Sequence, residues 1–180
     1  MTTRIAFIRG INVGGKAAVT MAELRKALED RGLQNVRTYI QSGNVVYDPP
    51  AGAKHTAAAR RNEVVIIGDA FNAMKGFVPA VMVMPADDVA AYLVASPYAK
   101  ADPSQAFLVF VDGPVSGLGD LDQYATAGEE WQAIDGVIHL HCPNGLGRSK
   151  LGGRLAASTN VSTTTRNLRT VAKVLELAGS

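Results

Sequence analysis

The chain has 180 residues, 47% hydrophobic and 19% charged, with 18 Gly, 8 Pro, a single Cys and a formal net charge of +2. So much apolar character with so little charge excludes a disordered chain. The lone Cys142 excludes an internally disulfide-stapled module and suits a reducing, cytoplasmic setting. The apolar runs at 64–67 and 81–84 fall far short of the ~20 residues of a membrane span, and the run after Arg4 is too short for a signal peptide.

In chain order, TRIAFIR at 3–9 is β-rich and suits a central strand opening into the Gly-rich stretch GINVGGKAAV. Thr20 and Glu23 form a capping box ahead of Met21, Leu24 and Leu28 at helical spacing, with Gly32 closing the helix. NVRTYI at 35–40, the turn Ser42-Gly43-Asn44 and VVY at 45–47 predict an antiparallel hairpin over 35–48. Within 55–76 the run VVII reads as a strand in isolation. Over the longer window Ala57, Arg60, Val64, Ile67, Phe71 and Met74 recur at steps of three and four, and length decides for a helix. A strand at 78–84 and a short helix from Pro85 to about Ala95 follow, and the order βαββαβ is that of a ferredoxin-like split unit.

The remainder starts the same order again. It offers a strand at 105–111, a short helix over 115–126 through Leu118 and Leu121, and a hairpin of 129–134 with 137–142 about Asp135-Gly136, a type I′ signal. Two helices are expected to close the chain, one over 147–157 and one over 164–177 with a Thr of the run at 163–165 as its N-cap. The expected fold is α+β with a mainly antiparallel sheet in two subdomains: a ferredoxin-like one at 1–95 and a smaller βαββ unit with C-terminal helices at 105–180. Residues 96–104, with two prolines and no periodicity, read as the linker.

The near-neutral total is a cancellation. Residues 1–44 carry seven basic and three acidic side chains, residues 45–144 five and twelve, and residues 145–180 six and one. Two basic ends therefore flank an acidic middle, and if they meet they make a cationic patch. Three motifs lie in those ends. Gly10 to Lys16 fits GxxxxGK after a strand, but Ala17 stands where a nucleotide-hydrolysing P-loop needs Ser or Thr to hold Mg²⁺, and antiparallel hairpins do not suit that parallel fold. What survives is a Gly-rich loop able to present amides to an anion. Gly145-Leu-Gly147-Arg148-Ser149-Lys150 places cations in a first helical turn, where the helix dipole disfavours them by a few tenths of a kcal/mol. An anion among them would reverse that penalty; pairing with acids of the middle segment is the structural alternative. Arg166, Arg169 and Lys173 fall on one face of the last expected helix, for which a solvated surface opposite the apolar stripe is the favoured explanation on its own. His139 and His141 share a strand face at chelating spacing, but no third ligand is readable, so no metal site is expected. Trp131, Phe107 and Phe110 read as core.

The segments IAFIRGINVGGK, VTMAELRKAL, NVRTYIQSGNVVY, GLGRSKL and TTRNLRTVAKVLELA resemble the domain-of-unknown-function family numbered 1697, from residue 4 to about 178. The resemblance implies an α+β fold of two subdomains, the first ferredoxin-like, and supports a helix at 55–76; VVII departs from the family's more polar version. It implies no activity, because the family is uncharacterised, and it carries over no catalytic residue.

The polar residues inside these segments and loops are the candidate anion-binding set: Arg9, Asn12, Gly14, Gly15, Lys16, Ser42, Asn44, Gly147, Arg148, Ser149, Lys150, Arg166 and Asn167. The leading expectation is a module binding a phosphate-bearing ligand, a nucleotide or single-stranded nucleic acid, with Lys16, Arg148 and Lys150 as charge partners. An enzyme of phosphoryl or nucleotidyl chemistry ranks second, for want of a readable base or metal set. A structural or protein-interaction module is third. The sequence specifies neither a cofactor nor an oligomeric state.

Overall fold

The computed structural model describes residues 3–12, 18–115, 118, 120–126, 128–158 and 161–179. Among them, β1 (Arg4–Ile8) leads to α1 (Met21–Glu29). The expected capping box is present: Thr20 Oγ1 accepts the Glu23 N–H and the Glu23 carboxylate accepts the Thr20 N–H. These bonds hold the exposed Glu23 carboxyl below its ordinary range. β2 (Gln34–Tyr39) and β3 (Asn44–Asp48) form the expected hairpin. Its turn depends on Gly43, at φ +80°, where a Cβ would approach the Ile8 carbonyl oxygen to 2.5 Å. That close approach is what lets the Gly43 carbonyl accept the Ile8 N–H at 2.8 Å.

VVII is helical. α2 (Ala57–Lys75) runs from the N-cap Thr56 to Gly76 in the left-handed conformation. Ile67 and Phe71 are fully buried while Val65 is 57% exposed, so burying one stripe outweighs the β-branched residues' preference for strand. β4 (Val81–Pro85) and α3 (Ala86–Val94) follow. The first sheet has the order β2-β3-β1-β4, each neighbour antiparallel, and packs Ala6, Ile8, Val45 and Tyr47 against Leu24, Leu28, Ile67 and Phe71. Burying each of these large side chains contributes roughly 1.5–3 kcal/mol.

The second sheet repeats the first strand for strand. β5 (Ala106–Val111), β6 (Glu130–Ile134), β7 (Val137–His141) and β8 (Thr163–Asn167) lie in the order β6-β7-β5-β8, all antiparallel. Asp135 and Gly136, both at positive φ, make the two-residue turn that the sequence predicts. α4 (Lys150–Ser158) occupies the place of α2, and α5 (Leu168–Ala178) follows β8 as α3 follows β4.

Three expectations are corrected. The segment opening the last helix is instead β8: its threonines pair with Phe110, Val109 and Val111, and completing the open edge of β5 prevails over the helical pattern. The helix starts at Leu168, capped by Asn167 Oδ1 accepting the Thr170 N–H at 2.8 Å, so no threonine caps it. The helix at 147–157 begins at Lys150, after a 3-10 turn at Leu146–Arg148. Of the expected helix at 115–126, the described residues hold only a 3-10 turn at Asp122–Tyr124. Gly117 and Gly119 in that sequence each cost a helix about 1 kcal/mol relative to Ala.

The chain divides into two compact units, one comprising residues up to Val89 together with those from Lys173 on, the other Ala90–Ala172. The division falls inside α3 and inside α5. The end of α3 belongs with the second sheet, where the Tyr92 ring lies 6.4 Å from that of Phe110. The end of α5 belongs with the first, where Arg37 Nη1 donates to the Leu177 carbonyl. No helix among the described residues is long and apolar enough to cross a membrane.

Candidate functional site

In the second unit, Gly145 at φ +86° turns the chain from β7 into the 3-10 turn. Ser149 then caps α4, its Oγ accepting the Gly152 N–H at 2.9 Å. Leu151 and Leu155 are buried against Phe107, Val109, Ile138 and Leu140. Helical geometry puts Lys150 and Arg154, four residues apart, on a different face. That face and residues 123–126 wall an open cleft of about 740 Å³. The Arg154 guanidinium carbon sits 4.9 Å from the centroid of the Tyr124 ring, a cation–π contact that pins this cation over the aromatic wall.

Behind the cleft, Glu129 is 8% exposed and accepts the Thr126 N–H at 2.9 Å. Burial alone would raise its carboxyl; bonds from Thr126, Ser149 and Cys142 outweigh that and hold it below the usual range. The Cys142 thiol is pushed up, by burial first and also by Glu129. Glu129 is thus occupied by neutral donors. Among the described residues no carboxylate lies within ion-pairing distance of Arg148, Lys150 or Arg154.

Gly147, Arg148 and Lys150 are exposed here, and Ser149 is half-buried and engaged as cap. Arg166 and Asn167 lie elsewhere in the same unit. Arg166 is on β8 opposite Leu108, in the pleat that alternates with the α4-facing Phe107 and Val109. It donates to Thr164 Oγ1 at 2.9 Å and the Thr165 carbonyl at 2.8 Å, and burial pushes its guanidinium down to about 10. The sequence therefore brings together Gly147–Lys150 but not Arg166 with them.

In the first unit, Arg9 is exposed. Asn12 spends its side chain on structure: Nδ2 donates to the carbonyls of Val19 and Gln41, and Oδ1 accepts the Val19 N–H at 2.7 Å. Asn44 is fully buried and braces the hairpin, donating to the Tyr39 carbonyl and to Ser42 Oγ. Gly14, Gly15 and Lys16 lie outside the described residues. The antiparallel sheet is not the parallel one a P-loop needs.

The histidines diverge. His141 stacks on Tyr98, ring centroids 5.7 Å apart, and the Tyr98 hydroxyl is pushed up to about 12 by burial and by Glu130. His139 is fully buried with neither ring nitrogen hydrogen-bonded. Among the described residues no three His, Cys, Asp or Glu could hold a metal ion.

Sequence reasoning missed two features. Tyr124 joins Lys150 and Arg154 only through the fold. Arg4 on β1 and Glu63 on α2, 0% and 2% exposed, face each other at 3.4 Å, and Tyr47 donates to the same Glu63 Oε2 at 2.8 Å. Arg4 opens an apolar strand, but Glu63 follows Arg60, Arg61 and Asn62, so nothing in the sequence joins the two.

The family model described as "Protein of unknown function (DUF1697)" matches residues 1–139. No curated protein matches the sequence significantly. A solved structure, of conserved bacterial protein SP0830 from Streptococcus pneumoniae, is similar with a TM-score of 0.67 at 23% identity, covering 98% of each chain. That likeness shows a shared fold over both units, including the segments beyond residue 139.

Proposed function

The chain belongs to the DUF1697 family of proteins of unknown function, and from that premise we propose that its second unit binds a phosphate-bearing ligand, a nucleotide or single-stranded nucleic acid. The observation carrying this reading is the α4 cleft: Lys150 and Arg154 without a carboxylate partner and Tyr124 as an aromatic wall, with Arg148 exposed two residues before Lys150 in the chain. Unpaired cations spaced one helical turn apart suit successive phosphates, and an aromatic ring offers a sequence-tolerant stacking surface. Arg9 and Lys16, which belong to the first unit, stay anion-binding candidates of that unit on their charge alone. Arg166 and Asn167 leave the proposal, being committed to β8 and the α5 cap.

The setting we propose is cytoplasmic, on the strength of the single buried Cys142. The strand order of the first unit supports a ferredoxin-like description, with the limits 1–95 and 105–180 as domains that limited proteolysis would test.

The test is fluorescence anisotropy with a labelled oligothymidylate, competed by nucleoside monophosphates. Three neutralised phosphates give a salt slope near −2 on single strands, so affinity falls about 20-fold between ~50 and ~200 mM salt. Lys150→Ala with Arg154→Ala removes most of that slope. Absence of binding at ~50 mM salt, or an unchanged slope in the double variant, refutes the proposal. Competition by monophosphates identifies a nucleotide site; its absence, with binding retained, identifies a strand-binding one.

A further inference from the structure

We propose that the segment from Tyr92 to Tyr98 is a pH-operated strap over the second sheet, seated while His139 is neutral and released when His139 takes up a proton. The device lies on the sheet face turned away from α4 and does not depend on the α4 cleft.

Strand alternation turns Phe107, Val109, Ile138 and Leu140 toward α4, and Leu108, Phe110, His139 and His141 to the other face. The register arranges that face in rows. Glu130, His141 and Ala106 form one, and Gln132, His139, Leu108 and Arg166 form the next. Phe110 with Thr164 lies beyond. Two ring contacts tie the segment to this face: Tyr92 lies 6.4 Å from Phe110, and Tyr98 stacks on His141 at 5.7 Å. Phe110 and His141 stand on opposite sides of the His139 row, so the chain joining Tyr92 to Tyr98 passes over it. The amides of Ala95, Ser96, Ala99 and Ala101 bond to Ala91, Leu93, Ser96 and Tyr98, never to the sheet. The segment can therefore lift with its own hydrogen bonds intact.

The groups facing His139 leave it nothing to share a proton with. It is fully buried, and neither ring nitrogen is hydrogen-bonded. Beside it stand the neutral amide of Gln132 and the apolar Leu108; the Arg166 cation is two strands away, about 10 Å. In the neighbouring row Glu130 is exposed and His141 is under Tyr98. Past the segment, Asp102 is paired with Arg169 at 3.5 Å. The Asp135 carboxylate at the hairpin turn pulls toward protonation, but burial opposes it more strongly. An imidazolium here is a buried cation without a counter-ion, which only water can relieve.

The strap itself is easily unseated. The Tyr98 hydroxyl is also buried without a hydrogen-bond partner. Lifting the segment hydrates that hydroxyl and both imidazole nitrogens together, returning the cost of three unmet polar groups. The lifted form presents an imidazole with the ordinary value of 6.5, and the seated form one below it. Opening is thus independent of pH above about 6.5 and is favoured by up to about tenfold for each pH unit below it.

The experiment is amide hydrogen exchange on the full chain at pH 7.5 and pH 5.5, corrected for the intrinsic pH dependence of exchange. Protection of the Ala95, Ser96, Ala99 and Ala101 amides should fall by up to about tenfold at pH 5.5, while the amides of β5 and β7 hold. His139→Leu and His139→Gln, one apolar and one polar but both neutral, should each abolish that fall. An equal loss across β5 and β7, protection of the segment that does not change with pH, or a fall that survives in both variants overturns the inference.

Discussion

Replacing His139 by Leu should stabilise the protein, most of all in acid. His139 lies on β7 between Leu108 of β5 and Gln132 of β6 in the register, is fully buried, and bonds through neither ring nitrogen. A buried donor or acceptor left unsatisfied costs roughly 1–3 kcal/mol. Leu fills a similar space with no polar atom, so a gain of about 1–3 kcal/mol is expected at pH 7.5. Burial also lowers the imidazole pKa below 6.5, against a weaker opposing pull from Asp135. The unfolded chain therefore takes up this proton before the folded one. Stability conferred by the neutral form is complete above about 6.5 and falls as pH drops toward the folded pKa, by up to about 1.4 kcal/mol for each pH unit. Thermal unfolding from pH 8 to pH 5 reads both effects. For a chain of this length 1 kcal/mol moves Tm by about 2–4 °C, so the variant should melt higher at pH 7.5 and the difference should widen below pH 6.5. A less stable variant at pH 7.5, or parallel pH profiles, would show that the imidazole has a partner and refute the reasoning.

Two further substitutions probe the first unit. Gly43→Ala sets a Cβ 2.5 Å from the Ile8 carbonyl at a positive φ, so it should destabilise by more than the ~1 kcal/mol of an ordinary left-handed alanine, measured by urea unfolding. Tyr47→Phe removes the donor to Glu63 Oε2 and should cost about 1–3 kcal/mol, visible as a lower urea midpoint at unchanged slope.

The sequence made local structure legible where neighbours in the chain supply the physics. The Thr20 capping box, the Asp135-Gly136 turn and the α2 stripe need only residues within a few positions of each other. The hidden features require distant partners. TTTRN becomes a strand because β5 offers an open edge, which no window around residue 165 contains. The cations of GLGRSK were visible as an oddity at a helix start, but Arg154 and the Tyr124 ring that complete the cleft were not. Asn12 and Asn44 look like ligand groups in a list of polar loop residues, yet their bonds hold the loop and the hairpin. Glu63 stands outside the apolar stripe of α2, next to Arg60, Arg61 and Asn62, and so reads as a solvated residue.

The division of the chain inside α3 and α5 has a consequence for synthesis. On the ribosome β1 to β4 are complete well before α5 exists, so the first unit must wait, with the surface that residues from Lys173 onward belong to still vacant, until the last helix emerges. A stop codon a few residues before the end would therefore damage the half of the protein that was made first.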